Sequence, residues 1–130
     1  MAKALTGIDI IEVSRVEDAI NNLGDNFLNK IFTENEIDYC NKSKKMKYQH
    51  FAARFAAKEA VFKALSNEIK SRDDLVWKQI EVISEESGRP KVNMDLLKTL
   101  NISKNIESID ISLSHCKEYA VANATVLTNI

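Results

Sequence analysis

Proline occurs once and glycine three times in the 130 residues of this chain. That scarcity excludes a flexible linker, a glycine-rich phosphate loop and a dinucleotide-binding glycine fingerprint. The two cysteines, Cys40 and Cys116, have no partners at metal-ligand spacing, so a thiolate metal centre is excluded and reduced thiols in a cytoplasmic setting are expected. The opening MAKALTGIDI lacks the long apolar stretch of a signal peptide. No run approaches the ~18 consecutive apolar residues of a spanning helix, so a protein not integral to a membrane is expected. Charge of one sign is also missing, because 18 Lys and Arg face 19 Asp and Glu for a net charge of -1. An overall basic field for nucleic acid is thereby excluded, and any surface that grips phosphate must be local.

What is present is a globular balance, with 45% hydrophobic and 28% charged residues and enough apolar material for a core. The length suits a single domain over residues 1–130. Leu5, Gly7, Asp9, Ile11 and Val13 alternate with Ile8, Ile10 and Glu12, which predicts a strand over Leu5 to Val13. Ser14 and Glu17 have capping-box spacing ahead of a helix over Arg15 to Asn22 that ends at Gly24. Thr33 and Glu36 repeat the arrangement ahead of Glu34 to Asn41. The strongest helix runs from Gln49 to Leu65, rich in alanine. Its Phe51, Phe55 and Phe62 form one stripe and Ala53, Ala57, Ala60 and Ala64 nearly the opposite one, so it should be buried on two sides. A loop follows over Asn67 to Asp74. Trp77 to Ile83 and Lys91 to Val92 read as strands around the turn Glu86-Ser87-Gly88-Arg89-Pro90, and Met94 to Leu100 as a short helix. Ile109 to Ser114 and Tyr119 to Val126 read as a C-terminal hairpin. The expected fold class is α+β, an antiparallel sheet packed on a long central helix.

Several residues in this frame are suited to chemistry. Asp9 shares its strand face with Leu5 and Ile11, so it is either satisfied by backbone donors or an ion pair, or it stands where the sheet meets a site. Glu59 and Lys63 lie one helical turn apart, with the small Ala52 and Ala56 on the preceding turns. On a solvated face such a pair contributes only about 0.3–0.5 kcal/mol, but on a helix apolar on most other sides it points to a cavity or an interface. Asp9 and Glu59 together supply the minimal protein share of a Mg2+ site, whose remaining oxygens come from water and substrate phosphate. Lys63 beside them would neutralise a phosphate oxygen or protonate a leaving group. His115, at a hairpin tip, is either structural or a donor to phosphate. Arg54 and Lys58 lie on another side of the long helix and are candidates to serve a partner or a neighbouring subunit. Lys42, Lys44, Lys45 and Lys47 form either a solvated turn or a dock for an acidic partner or a phosphate.

Gly7-Ile8-Asp9-Ile10, the run Arg54-Phe55-Ala56-Ala57-Lys58-Glu59-Ala60-Val61-Phe62-Lys63-Ala64, Gly88-Arg89-Pro90 and Ser112-Leu113-Ser114-His115 follow one another in an order that resembles the holo-acyl-carrier-protein synthase family of 4'-phosphopantetheinyl transferases. The likeness covers nearly the whole chain, and FAAKEAVFKA is its most specific part. It implies Mg2+-dependent transfer of the 4'-phosphopantetheine arm of coenzyme A to a serine of apo-acyl carrier protein, with release of adenosine 3',5'-bisphosphate. It also implies a homotrimer with active sites shared between subunits. By motif position, Asp9 and Glu59 resemble the metal ligands and Lys63 the phosphate-contacting catalytic lysine. His115 resembles the histidine that meets the coenzyme's phosphates, and Arg15 the residue that grips the carrier. One departure stands out: the family's Gly-Thr-Gly turn after the long helix is replaced here by Leu65-Ser66-Asn67-Glu68-Ile69. The same carboxylates would also serve a Mg2+-dependent phosphoester hydrolase, and a non-catalytic coenzyme- or carrier-binding module is the alternative from outside the enzymes.

Overall fold

The alternation that opens the chain forms β1 (Ala2–Glu12). The chain then runs through α1 (Val13–Leu23), α2 (Asp25–Ile31), α3 (Glu34–Asn41), α4 (Lys47–Ala64), α5 (Val76–Gln79), β2 (Val82–Ser84), β3 (Pro90–Val92), α6 (Met94–Leu97), β4 (Asn105–His115) and β5 (Tyr119–Asn129). This computed structural model describes residues 2–69, 76–100, 102 and 105–129. β1, β5 and β4 form an antiparallel sheet in that order, with Ala2 opposite Asn129 and Glu12 opposite Tyr119. β2 and β3 make a separate two-stranded hairpin. The α+β class and its antiparallel sheet are as the sequence predicts.

The two-residue period of the sheet puts Gly7, Asp9 and Ile11 on one face with Ala120, Ala122 and Ala124 of β5 and Ile111 and Leu113 of β4. α4 lies against that face. Small residues on both surfaces let helix and sheet approach closely. A Cβ built on Gly7 would come within 1.9 Å of the Ala60 carbonyl oxygen and 2.8 Å of the Ala64 nitrogen. The C-terminal half of α4 shares a core with Leu65, Ile80, Val82 and Leu97, and Phe51, Ala52 and Ala53 in its N-terminal half share another with Val16, Phe32 and Cys40. Burial on two sides is therefore observed, but the aromatic stripe divides. Phe51 packs on Phe32 at 5.1 Å, whereas Phe55 and Phe62 lie 6.3 and 5.5 Å from Trp77.

A buried polar network ties these helices to the hairpin. The capping box at Thr33 forms as expected, with Glu36 N donating to Thr33 Oγ1 and Thr33 N donating to Glu36 Oε1 at 2.9 Å. Glu36 goes further: its Oε2 accepts from Val82 N at 2.9 Å and its Oε1 pairs with Lys58 Nζ at 2.7 Å. Lys58 also donates to the carbonyls of Trp77 and Ile80 at 2.7 and 2.8 Å, so three acceptors meet its three N–H groups. Burial pushes the Lys58 pKa down and the Glu36 carboxylate opposes it. Glu81 adds a second bridge, accepting from Thr33 Oγ1 and from Asn93 Nδ2.

This network corrects several expectations. Lys58 is turned inward and serves no external partner. Trp77 to Ile83 is not one strand, because the carbonyls of Trp77 and Ile80 turn toward Lys58 and the Trp77 ring lies by Phe55 and Phe62; only Val82–Ser84 is extended. Ser14 caps nothing, since α1 starts earlier, at Val13, whose amide is already held by the Glu118 carbonyl at 2.8 Å. α2, which the sequence reading omits, follows directly on Gly24, where φ is 57°. The loop expected over Asn67 to Asp74 is seen as a turn as far as Asn67 and Glu68, and its later part lies outside the described residues. α6 is shorter than expected and is capped by the Asn93 side chain.

Replacing Gly7 by alanine drives a methyl group into helix backbone that cannot step aside. Gly7→Ala is expected to lower stability by about 3 kcal/mol, the upper part of the range for overpacking, read as a lower urea midpoint.

Candidate active site

Close packing of α4 on β1 brings Asp9 to the last turns of the helix. Lys63 Nζ donates to Asp9 Oδ1 and to the Ile8 carbonyl, each at 3.0 Å. The pair is unevenly exposed, at 52% for the Lys63 side chain and 15% for Asp9. Glu59, one turn before Lys63, is half-buried. Burial raises its pKa, the negative charge of Asp9 raises it further, and Lys63 opposes both. The two carboxylates therefore act on a common space, and the ion pair that would have satisfied Asp9 alone is part of the same cluster. Among the described residues no group of three or more His, Cys, Asp and Glu converges. Two neighbouring carboxylates are nonetheless an all-oxygen donor set of the kind Mg2+ accepts when waters and a substrate complete it.

A second cluster forms at the other end of α4. His115 closes β4, with its Nδ1 2.7 Å from Gln49 Oε1. The His50 ring stands edge-on to His115 at 5.6 Å and lies 5.6 Å from Tyr39 on its other side. Arg54, 4% exposed, stacks its guanidinium 3.8 Å from the Tyr39 ring centre and reaches Ser84 Oγ at 3.4 Å. Tyr39, His50, Arg54, Ser84 and His115 line a cavity of about 160 Å3 that has no carboxylate in its wall. Within it Arg54 Nε and His50 Nδ1 are shut from solvent without a hydrogen-bond partner. Buried polar nitrogens left unpaired are costly, and a pocket that carries a guanidinium and no carboxylate is suited to an anion.

The structure thus unites Asp9, Glu59 and Lys63 but sets His115 apart from them. Asp9 and His115 stand on the two outer strands with β5 between. Along α4, Gln49 and Glu59 are separated by about 15 Å at the helical rise of 1.5 Å per residue. Arg15 is exposed on α1, and Lys42, Lys44 and Lys45 are exposed ahead of α4. Cys40 is buried and its thiol is pushed up to about 12 by desolvation, while Cys116 is exposed. Arg54 faces the pocket instead of an outer surface. The contributions of Gln49 and His50 went unread in the sequence, and Arg54 was assigned there to a partner, although 49, 50, 53 and 54 have the spacing of one helical face.

The chain is similar to known proteins over most of its length. A model of the 4'-phosphopantetheinyl transferase superfamily matches residues 6–124. The chain is 46% identical over 123 residues to the holo-(acyl-carrier-protein) synthase of Ruminiclostridium cellulolyticum, covering 94% of this chain and 90% of that protein. It is 48% identical over 120 residues to that of Chlamydia muridarum, covering 91% and 90%. Among solved structures, the Helicobacter pylori synthase in complex with coenzyme A aligns with a TM-score of 0.75 at 28% identity, covering 94% of this chain and 99% of that one. The Bacillus anthracis synthase in complex with CoA (3',5'-ADP) gives 0.73 at 32% identity, covering 96% of each.

The raised Glu59 pKa has a consequence for stability. A carboxyl group whose pKa is higher folded than unfolded favours the fold when protonated, and that advantage is lost as pH rises from the unfolded value through the folded one. Glu59→Gln, which keeps the shape without the charge, is therefore expected to melt at a higher temperature than the native chain near pH 7. The difference should disappear below about pH 4, where carboxyl groups take up their protons. Thermal unfolding at the two pH values checks it.

Proposed function

The chain belongs to the 4'-phosphopantetheinyl transferase superfamily, and we propose that it acts there as a holo-acyl-carrier-protein synthase, moving the 4'-phosphopantetheine arm of coenzyme A onto a serine of apo-acyl carrier protein. The observation that carries this reading is the meeting of Asp9, Glu59 and Lys63 on β1 and α4, inside the segment matched by the family model. In the reaction the serine oxygen bonds to the phosphorus that bears the pantetheine arm. The bond from that phosphorus to the bridging oxygen breaks, and adenosine 3',5'-bisphosphate leaves. Glu59, a half-buried carboxylate one turn from Lys63, is suited to accept the serine proton, directly or through a water. Lys63 places an ammonium group where charge grows on the transferred or departing phosphate. Asp9 and Glu59 would hold Mg2+, which when bound neutralises the charge of the diphosphate. The pocket of His115 and Arg54 would receive a phosphate group of the coenzyme.

The oligomer and the carrier surface belong to the same reading. Ile8, Ile10 and Tyr119, exposed at 62%, 66% and 47%, project from the sheet face opposite α4. Apolar surface of this kind is suited to contact with further copies of the chain. The separation of the His115 pocket from the carboxylates within one chain supports a homotrimer whose sites are completed across subunits. Arg15, exposed near the start of α1, would meet the acidic carrier protein, and its charge would act mainly on carrier encounter. The whole of residues 1–130 would function as one domain. Its unpaired Cys40 and Cys116 suit a cytoplasmic setting.

Incubating the chain with coenzyme A, Mg2+ and apo-acyl carrier protein is expected to add one phosphopantetheine to the carrier's intact mass. Asp9→Ala and Glu59→Ala should abolish the gain, and Lys63→Ala should slow turnover by roughly 100- to 1,000-fold at saturating substrates, the usual effect of losing one charge-stabilising donor. Unmodified carrier with the native chain would defeat the reading. Shared sites have their own test: the inactive Asp9→Ala chain, dissociated and reassembled with His115→Ala, should regain activity that neither variant has alone.

A further inference from the structure

His50 belongs to no role described so far, yet it sits in the wall of the acid-free pocket beside Arg54 and His115. Tyr39 from α3, Arg54 from one turn along α4 and His115 from β4 surround its ring, and the β2–β3 hairpin walls the pocket with the uncharged Ser84, Gly88 and Pro90. Of these, Arg54 is a fixed cation, His115 can become one, and no carboxylate lines the pocket. His50 Nδ1 is shut from solvent with no partner, and the nearly fully buried Arg54 has its Nε in the same condition. In the free protein these surroundings oppose a second positive charge. Burial chiefly, and then His115 and Arg54, push the His50 pKa below its ordinary value. A dianion placed among these groups would reverse the balance, because it supplies an acceptor for Arg54 Nε and for a protonated His50, and the negative charge that an imidazolium needs.

We propose that His50 is a proton-linked member of this pocket, taking up a proton from solvent when a phosphate monoester dianion binds beside Arg54 and His115, so that the pocket holds its ligand more tightly as pH falls. The proposal rests on the reading that the His115 pocket receives a phosphate of the coenzyme. It adds to that reading a residue that sets the pH dependence of binding and of product release. His50 makes no contact with the bond being broken in this scheme, and its effect is confined to the grip on the phosphate.

The experiment uses the native chain and adenosine 3',5'-bisphosphate as the probe. Calorimetric titration between pH 6 and 8 is expected to show affinity falling with pH more steeply in the native chain than in His50→Gln, by up to tenfold per pH unit, the effect of one linked proton. The titration of the probe's own phosphates is common to both proteins and cancels in the comparison. In the native chain, NMR titration of the His50 ring should show its midpoint rising when the probe is bound, a readout that a spacer residue would not move and that does not depend on how the variant folds. A slope unchanged in His50→Gln overturns the proposal, and so does an unmoved His50 midpoint. His115→Gln separates the two levels of the argument. If it binds the probe as tightly as the native chain, the phosphate reading of the pocket falls and the proposal with it. If it binds weakly while either His50 result is negative, only the role of His50 falls.

Discussion

Everything in this molecule depends on how closely α4 can lie against β1 and β5. Alanines at 120, 122 and 124 on the sheet and at 56, 57, 60 and 64 on the helix leave little side chain between the two backbones, and at Gly7 there is none. A contact built from methyl groups contributes modest apolar area. The larger side chains that fill the core include Phe51, Leu65, Ile80 and Val126, all fully buried. What the seam provides is position. Two rigid elements held at backbone distance fix Asp9 against Glu59 and Lys63 without relying on flexible loops, which is the arrangement a charge-handling site requires.

Another side of the helix is held by a different force. Glu36 and Lys58 are completely buried, and losing one member of such a pair typically costs about 3–5 kcal/mol because the other is left as an isolated charge. Through Trp77, Ile80 and Val82 the pair fastens the segment leading into the hairpin, and that hairpin supplies Ser84, Gly88 and Pro90 to the wall of the His115 pocket. The carboxylate side of α4 is thus placed by close packing, and the hairpin that walls the His115 pocket by buried electrostatics. The run Lys58-Glu59 contains both roles in adjacent residues that point in different directions.

This division explains what could be read from the sequence. Alternation exposed β1, alanine propensity exposed α4, and the carboxylates and lysine stood out because charged groups on apolar elements demand a reason. Thr33 and Ser14 had identical capping-box spacing, yet only Thr33 caps a helix. The difference lies in the Glu118 carbonyl, about a hundred residues away in the chain, which takes the Val13 amide. Trp77 has a strand-former's composition around it, but tertiary hydrogen bonds to Lys58 overrode that preference. The pocket of His50 and Arg54 was hidden for a similar reason: its walls come from α3, α4, the β2–β3 hairpin and β4, and no local pattern brings those together.

β1 is inside out by hydrophobic count around its centre, with Ile8 and Ile10 facing away from α4 and Asp9 facing toward it. Sliding the strand by one residue along β5 would exchange the two faces, burying isoleucine at about 25 cal/mol per Å2 and sending the aspartate into water. Simple hydrophobicity would favour the wrong alignment. The slip is forbidden because it would set Thr6 or Ile8 opposite the Ala60 carbonyl, at a point where not even a methyl group fits. Gly7 thereby works as a key in a lock: the one residue on this strand without a side chain decides which side chains of its neighbours the helix meets.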